Sequence, residues 1–133
     1  MGMYTELVVN VNLNAESLSE DIKSLLRYMT SGGSTRDYEG PLPDHELFEE
    51  HTRWPWMLRC SSYYHPGVSY AFFEKDPYSP IYTLSVRSSF KNYANEVELF
   101  LDWLNPFIEG EPGDFIGYSR YEETEQPTLH FKK

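Results

Sequence analysis

The residues of this chain that could do chemistry are its single cysteine, its histidines and its arginines. Cys60 and His65 lie five positions apart, and a thiol beside an imidazole is one pattern of a nucleophilic catalyst. A reactive thiol requires an exposed, electropositive setting, however, and Cys60 stands where a strand pattern predicts the buried face. We therefore expect Cys60 to be a small core residue that reacts slowly.

A second constellation consists of arginines and tyrosines on three predicted strands. If these strands share one sheet, the face turned away from the helices would collect them, and the residues are Arg59, Tyr63, Arg87, Tyr118 and Arg120. Guanidinium groups bind carboxylate or phosphate in a bidentate manner, so this face is a candidate ligand-binding site for an anionic substrate. The alternative is that the arginines pair with Glu6, Glu74 and Glu122 on neighbouring strands.

No common catalytic motif supports an enzyme. The chain contains no GxSxG, Walker A, GxGxxG or CxxC sequence. It also lacks HExxH, EF-hand and Cys-His spacings, so the acidic loop before residue 53 is interpreted as solvated. We expect no catalytic residue, no metal and no cofactor.

The N-terminal third predicts a strand, a helix and a long connection. Residues 5–13 alternate apolar and polar side chains with the period of a strand. Ser17 and Glu20 have the spacing of a capping box, and apolar residues follow at helical intervals as far as Met29. Gly32-Gly33 would end this helix, and the loop 30–53 would carry one helical turn at residues 44–50.

The stretch RWPWMLRCSSYY, residues 53–64, predicts a second strand at residues 56–64. Pro55 favours an extended conformation for Trp54, and alternation from there gives two faces. The predicted core face holds Trp56, Leu58, Cys60 and Tyr64, and the predicted open face holds Met57, Arg59, Ser61 and Tyr63.

The rest of the chain predicts four more strands and a second helix. Strands are expected at residues 68–75, 81–90, 115–123 and 128–132, and a helix is expected around residues 97–108 with Asn92 or Asn95 as its cap. The order β-α-β-β-β-α-β-β indicates an α+β fold, a two-layer sandwich in which two helices cover one face of an antiparallel sheet.

Length and charge limit the organisation and the partners. A chain of 133 residues fits a single globular domain, 1–133, and its aromatic content of 17% supports a real core. The net charge of −10 disfavours general binding to nucleic acid or to anionic membranes. No apolar run approaches the roughly 18 residues that span a membrane, and one cysteine forms no internal disulfide, so we expect a cytoplasmic protein.

Several segments together resemble an uncharacterised family of small acidic proteins from bacteria and their phages or prophages. The segments are MYTELVVNVNL, RWPWMLRCSSYYH, SVRSSFKNYANEVELFLDWLNPFI and GYSRYEETEQPTLHF. The resemblance implies a bacterial or phage setting and supplies no site residue. With many Tyr and Trp residues, which are favoured at interfaces, the expectation is a non-enzymatic binding protein with an unidentified protein partner, such as a phage-type modulator of a host protein. A small-ligand-binding protein or enzyme acting on an anion is the alternative.

Overall fold

The described part of the chain forms five strands and two α-helices. The computed structural model describes residues 3–31, 38–65, 67–124 and 126–133. The strands are β1 (Thr5–Asn14), β2 (Tyr70–Lys75), β3 (Ile81–Phe90), β4 (Phe115–Tyr121) and β5 (Thr128–Phe131), and the helices are α1 (Glu20–Ser31) and α2 (Glu96–Leu104). Short 3-10 turns occupy Ala15–Ser17, Glu46–Phe48 and Asn105–Phe107.

All five strands belong to one antiparallel sheet in the order β2-β3-β1-β4-β5. The first strand of the chain therefore lies at the centre, paired with β3 along its whole length and with β4 over its first half. The predicted α+β fold with an antiparallel sheet is confirmed, although the sheet has five strands where six were expected.

The hydrophobic core lies between the helices and one face of the sheet. Alternate β1 residues from Leu7 to Leu13 are buried, and their partners on β3 are also buried. Both helices contribute to this same core, α1 through Leu25 and Met29 among others, and α2 through a set that includes Phe100. The other face of the sheet carries no helix among the described residues, and we call it the open face.

The first helix begins three residues later than predicted. Ser17 belongs to the preceding 3-10 turn, and the hydroxyl of Ser19 instead accepts a hydrogen bond from the backbone N–H of Ile22 at 3.2 Å. This is the usual contact of an N-cap residue, so Ser19 replaces the predicted capping box. Gly32-Gly33, the predicted end of the helix, lies outside the described residues.

The predicted strand at residues 56–64 is wrong. Residues 54–58 form consecutive turns, and the carbonyl of Arg53 accepts hydrogen bonds from the N–H groups of both Trp56 and Met57. Met57 and Leu58 are both fully buried although they are adjacent, and Trp56 is half exposed, a pattern that no strand can give. Proline fits the first position of a helical turn, and Pro55 starts a turn here in place of an extended segment.

Two side chains fix the start of α2. The Asn92 side chain accepts a hydrogen bond from the N–H of Val97 at 3.0 Å, whereas Asn95, in the left-handed region with φ 57°, makes no side-chain cap. The fully buried Glu96 accepts hydrogen bonds from the backbone N–H of Arg53 at 2.9 Å and from its guanidinium at 3.2 Å. The turn that follows Arg53 is therefore tied to the second helix.

Candidate functional site

Three of the five predicted site residues meet on the open face. In the register of the sheet, Arg120 of β4 lies beside Glu6 of β1, and Val8 lies between Arg87 of β3 and Tyr118 of β4. Side chains opposite one another in an antiparallel pair point to the same face. The sheet thus brings Arg87, Tyr118 and Arg120 together around the first half of β1.

Glu6 lies at the centre of this group. Only 2% of Glu6 is exposed, and its Oε2 accepts a hydrogen bond from Nη2 of Arg87 at 2.6 Å. Its Oε1 lies 3.1 Å from Nη2 of Arg120. One carboxylate therefore faces two guanidinium groups, which is the pairing that the sequence offered as the alternative to an anion site. We call Glu6, Arg87, Tyr118 and Arg120 the Glu6 cluster.

The charged residues of the cluster change the pKa of Tyr118. Burial raises the pKa of the Tyr118 hydroxyl, and the negative charge of Glu6 raises it further. Arg120 and Arg87 act in the opposite direction, and a hydrogen bond to Glu6 adds a small increase. The raised pKa favours the neutral form of the Tyr118 hydroxyl.

The loop between residues 60 and 69 covers one end of this cluster with polar groups. His65 is 4% exposed, and its Nδ1 lies 2.9 Å from the hydroxyl of Ser89. The Ser89 hydroxyl also lies 2.8 Å from that of Ser62. Arg87 donates a 3.3 Å hydrogen bond to the carbonyl of Val68, and this bond connects the loop to the cluster. Burial lowers the pKa of His65, with smaller effects of nearby charges.

Two buried nitrogens at this end have no hydrogen-bond partner among the described residues. They are Nε2 of His65 and Nε of Arg120. Both residues line a cleft of about 320 Å³ together with Tyr64 and Glu122. The sequence indicated Glu6 as a possible partner of the arginines, but it did not indicate His65 as a member of the site. The signal for Glu6 was a carboxylate on the polar side of the first predicted strand, the side on which Arg87 and Arg120 were expected.

Arg59 and Tyr63 do not join the cluster. Arg59 donates from Nε to the carbonyl of Met29 at 3.1 Å and from Nη2 to the carbonyl of Pro55 at 2.7 Å. It therefore satisfies a carbonyl in the last turn of α1, where helical carbonyls lack intrahelical partners. Tyr63 is 86% exposed in the covering loop and meets the edge of Tyr4 at a ring distance of 6.2 Å. Their predicted places on the open face depended on the strand that is absent.

The predicted Cys60 environment is only partly correct. Cys60 is partly buried rather than a core residue, and its thiol donates to the carbonyl of Trp56 at 3.3 Å. Burial raises the pKa of this thiol more than Arg59 and Arg53 lower it. His65 is engaged with Ser89, so the structure does not pair the two residues as a catalytic dyad.

The remainder of the open face is polar at its centre and apolar on both sides. Asn12 accepts a hydrogen bond from the hydroxyl of Thr83 at 3.2 Å, and Asn10 bonds Ser85 in the same way. On the outer strands, large side chains are exposed by about half, and these are Tyr70, Phe72, Leu129 and Phe131. The polar row thus separates two apolar stripes.

The structure also bears on metals and membranes. No group of three His, Cys, Asp or Glu residues in the described part of the chain is arranged to hold a metal ion. Within the same ranges, no helix has the length and apolar character that crossing a membrane requires.

Comparison of the chain with protein-family models, curated proteins and solved structures found no match.

Proposed function

We propose that this chain is a non-enzymatic binding protein that contacts a protein partner through the open face of its sheet. The observation that carries the proposal is the exposure of Tyr70, Phe72, Leu129 and Phe131, which lies between 43% and 52% for each. An antiparallel sheet with one wet face normally alternates to polar residues there. Aromatic and large aliphatic side chains on that face are typical of an interaction surface.

The chemistry of the open face supports recognition of a protein more than catalysis. The hydroxyl and amide groups of Asn10, Asn12, Thr83 and Ser85 offer polar contacts in the middle of the face. The apolar stripes on both sides offer area to bury. Fixed polar contacts between apolar anchors are the usual composition of a specific interface. Ser89 and His65, which lie beside the Glu6 cluster, are shielded from solvent, because they are only 1% and 4% exposed.

The charge of the chain favours a basic partner. The net charge of −10 creates a negative potential that attracts cationic surfaces and repels nucleic acid. Association should therefore slow as salt is raised, because mobile ions screen long-range attraction within about 10 Å at 0.1 M ionic strength. More specifically, we propose that the chain is a phage-type modulator and that its partner is a cytoplasmic protein of a bacterial host.

The test compares capture of bacterial lysate proteins by the wild-type chain and by two matched variants. Tyr70→Ser combined with Phe72→Ser removes one apolar stripe of the open face. Tyr78→Ser is the control, because Tyr78 is 95% exposed in the turn between β2 and β3. We expect a discrete partner that the double variant loses and the control keeps, with circular dichroism showing that all three proteins fold. A partner retained equally by the double variant would refute the assignment of this face.

A second function, binding of a small anion at the Glu6 cluster, is favoured by one specific observation. Nε of Arg120 and Nε2 of His65, which have no hydrogen-bond partner among the described residues, belong to residues that line a cleft. Calorimetric titration with phosphate and with citrate tests this function. If it is correct, Arg120→Lys abolishes the binding heat, while Arg59→Lys, at the end of α1, leaves it unchanged. Absence of heat with the wild-type chain would remove this alternative.

A further inference from the structure

A second cleft lies on the helix side of the sheet, away from the open face. Its volume is about 470 Å³, and it is formed where the start of α2 faces the ends of β1, β4 and β5. The strand residues that line it are Thr5, Ser119, Tyr121 and Thr128, and Asn92, Tyr93 and Glu98 approach from the segment that opens α2. None of these residues belongs to the Glu6 cluster.

The strand residues of this cleft occupy positions that are apolar elsewhere in the sheet. Thr5 lies opposite Tyr121, and Ser119 lies between Leu7 and Thr128, so all four polar residues face the helix layer. Farther along β1 the same side carries Leu7 and Val9, both fully buried. The side chains change from aliphatic to hydroxyl-bearing at the place where the helices no longer cover this face of the sheet. A helix of nine residues is only about 14 Å long, and α2 leaves this corner of the sheet open.

Neighbouring residues hold several of the lining groups in place. The Ser119 hydroxyl lies 2.8 Å from Nε2 of His130, and the Tyr93 hydroxyl accepts a hydrogen bond from the N–H of Met3 at 3.1 Å. The side-chain carbonyl oxygen of Asn92 caps α2. Its side-chain N–H₂ group is therefore the part that can donate to a ligand. The lining is therefore preorganised, which lowers the entropic cost of binding a small molecule.

The functional groups of the cleft select a class of ligand. Hydroxyls of Ser, Thr and Tyr both donate and accept hydrogen bonds, and a carboxylate accepts only. Among the described residues that line the cleft, Glu98 is the only one with a charge, and none is Lys or Arg. From these residues, phosphorylated and carboxylated ligands would meet one negative charge and no positive charge. The volume is within the range of small-molecule sites, which are about 300 to 1,000 Å³.

We propose that this cleft binds a neutral polyhydroxylated small molecule, specifically a saccharide. The ligand hydroxyls donate to the Glu98 carboxylate and exchange hydrogen bonds with Thr5, Ser119 and Thr128. The rings of Tyr93 and Tyr121, which also line the cleft, supply apolar surface for the C–H face of a sugar. This site is independent of the protein-binding function proposed for the open face. Its ligand is of a class that the sequence did not indicate.

The experiment is saturation-transfer NMR on the full chain with glucose, galactose, mannose and maltose as probes. Each sugar is present at about 10 mM, above the millimolar dissociation constants of weak ligands. Glucose 6-phosphate and tetramethylammonium are the charged comparisons. We expect transfer to at least one neutral sugar, and little or none to its phosphorylated form or to the quaternary ammonium ion. No transfer to any neutral sugar, or stronger transfer to either charged probe, would overturn the proposal.

Variants then place the sugar in this cleft. Glu98→Ala changes an exposed residue of α2 to the best helix former, so the fold should persist. A hydrogen bond to a charged group contributes enough that its loss should weaken binding by about tenfold or more. Glu109→Ala removes an exposed carboxylate outside the cleft and should change nothing. The open-face variant Tyr70→Ser/Phe72→Ser should also bind the sugar normally, which separates this result from the test of the protein-binding function. Equal binding by Glu98→Ala and the wild type would refute the site.

Discussion

Replacement of Glu6 by Gln should strongly destabilise the protein. The side chain keeps its shape in Gln but loses its charge, and both Arg87 and Arg120 then lack their shared carboxylate. The Arg87 side chain is only 18% exposed and its Nη2 lies 2.6 Å from Glu6, so its guanidinium would lose this ion pair while it stays largely shielded from water. Arg120 is 39% exposed and recovers part of its hydration, so it contributes less.

The magnitude follows from the burial of the pair. Removal of one partner from a buried ion pair typically costs about 3 to 5 kcal/mol, because the remaining charge is left without compensation. We place Glu6→Gln at the lower end, about 3 kcal/mol, since an amide oxygen still accepts one hydrogen bond. For a domain of this size, 1 kcal/mol corresponds to roughly 4 °C in Tm, so the expected fall is on the order of 12 °C.

The assay is urea unfolding followed by tryptophan fluorescence, with thermal unfolding as a second measurement. Glu74→Gln is the matched control, because Glu74 is an exposed carboxylate on the neighbouring part of the same sheet. It should change the free energy of unfolding by no more than about 0.5 kcal/mol, as exposed substitutions usually do. A Glu6→Gln variant within about 1 kcal/mol of the wild type would refute a cluster dependent on the Glu6 charge.

Three further predictions concern the sheet, the buried histidine and the cysteine. Gly117→Ala should lower the free energy of unfolding by at least about 3 kcal/mol, because a Cβ there would stand 2.1 Å from the backbone oxygen of Val8. Gly113→Ala is the comparison: it meets only the strain of a positive φ of 98° and should cost about 1 to 2 kcal/mol. Burial lowers the pKa of His65, so the unfolded chain takes up a proton first as the pH falls below about 6.5, and the free energy of unfolding should fall between pH 7 and 5. His65→Asn should reduce that fall in urea titrations at each pH, and an equally steep decline would contradict the assignment. Cys60 in the native state should react with a thiol reagent more slowly than in urea, because burial raises its pKa; equal rates would show that the thiol is open to solvent.

The sequence alone determined the elements whose patterns are local. Strand β3 was predicted with its observed bounds at residues 81–90, and β1 differed by one residue at its end. A period of two over ten residues leaves little choice, because a shift by one position would expose every apolar side chain. Both helices and the α+β class followed from helical spacing in the same way. The acidic charge and the absence of common catalytic motifs also required no coordinates.

Tertiary structure decided the rest, above all at residues 53–64. Apolar residues in a short run fit a strand or a turn equally well, and contacts with distant residues selected the turn. Glu96 binds Arg53 from 43 positions away, and Arg59 reaches the end of α1 across 30 positions. The order of the strands likewise placed β1 between β3 and β4, which alone brings Glu6 to both Arg87 and Arg120. Local periodicity carries no information about which strands are neighbours, so the Glu6 cluster exists only in the folded sheet.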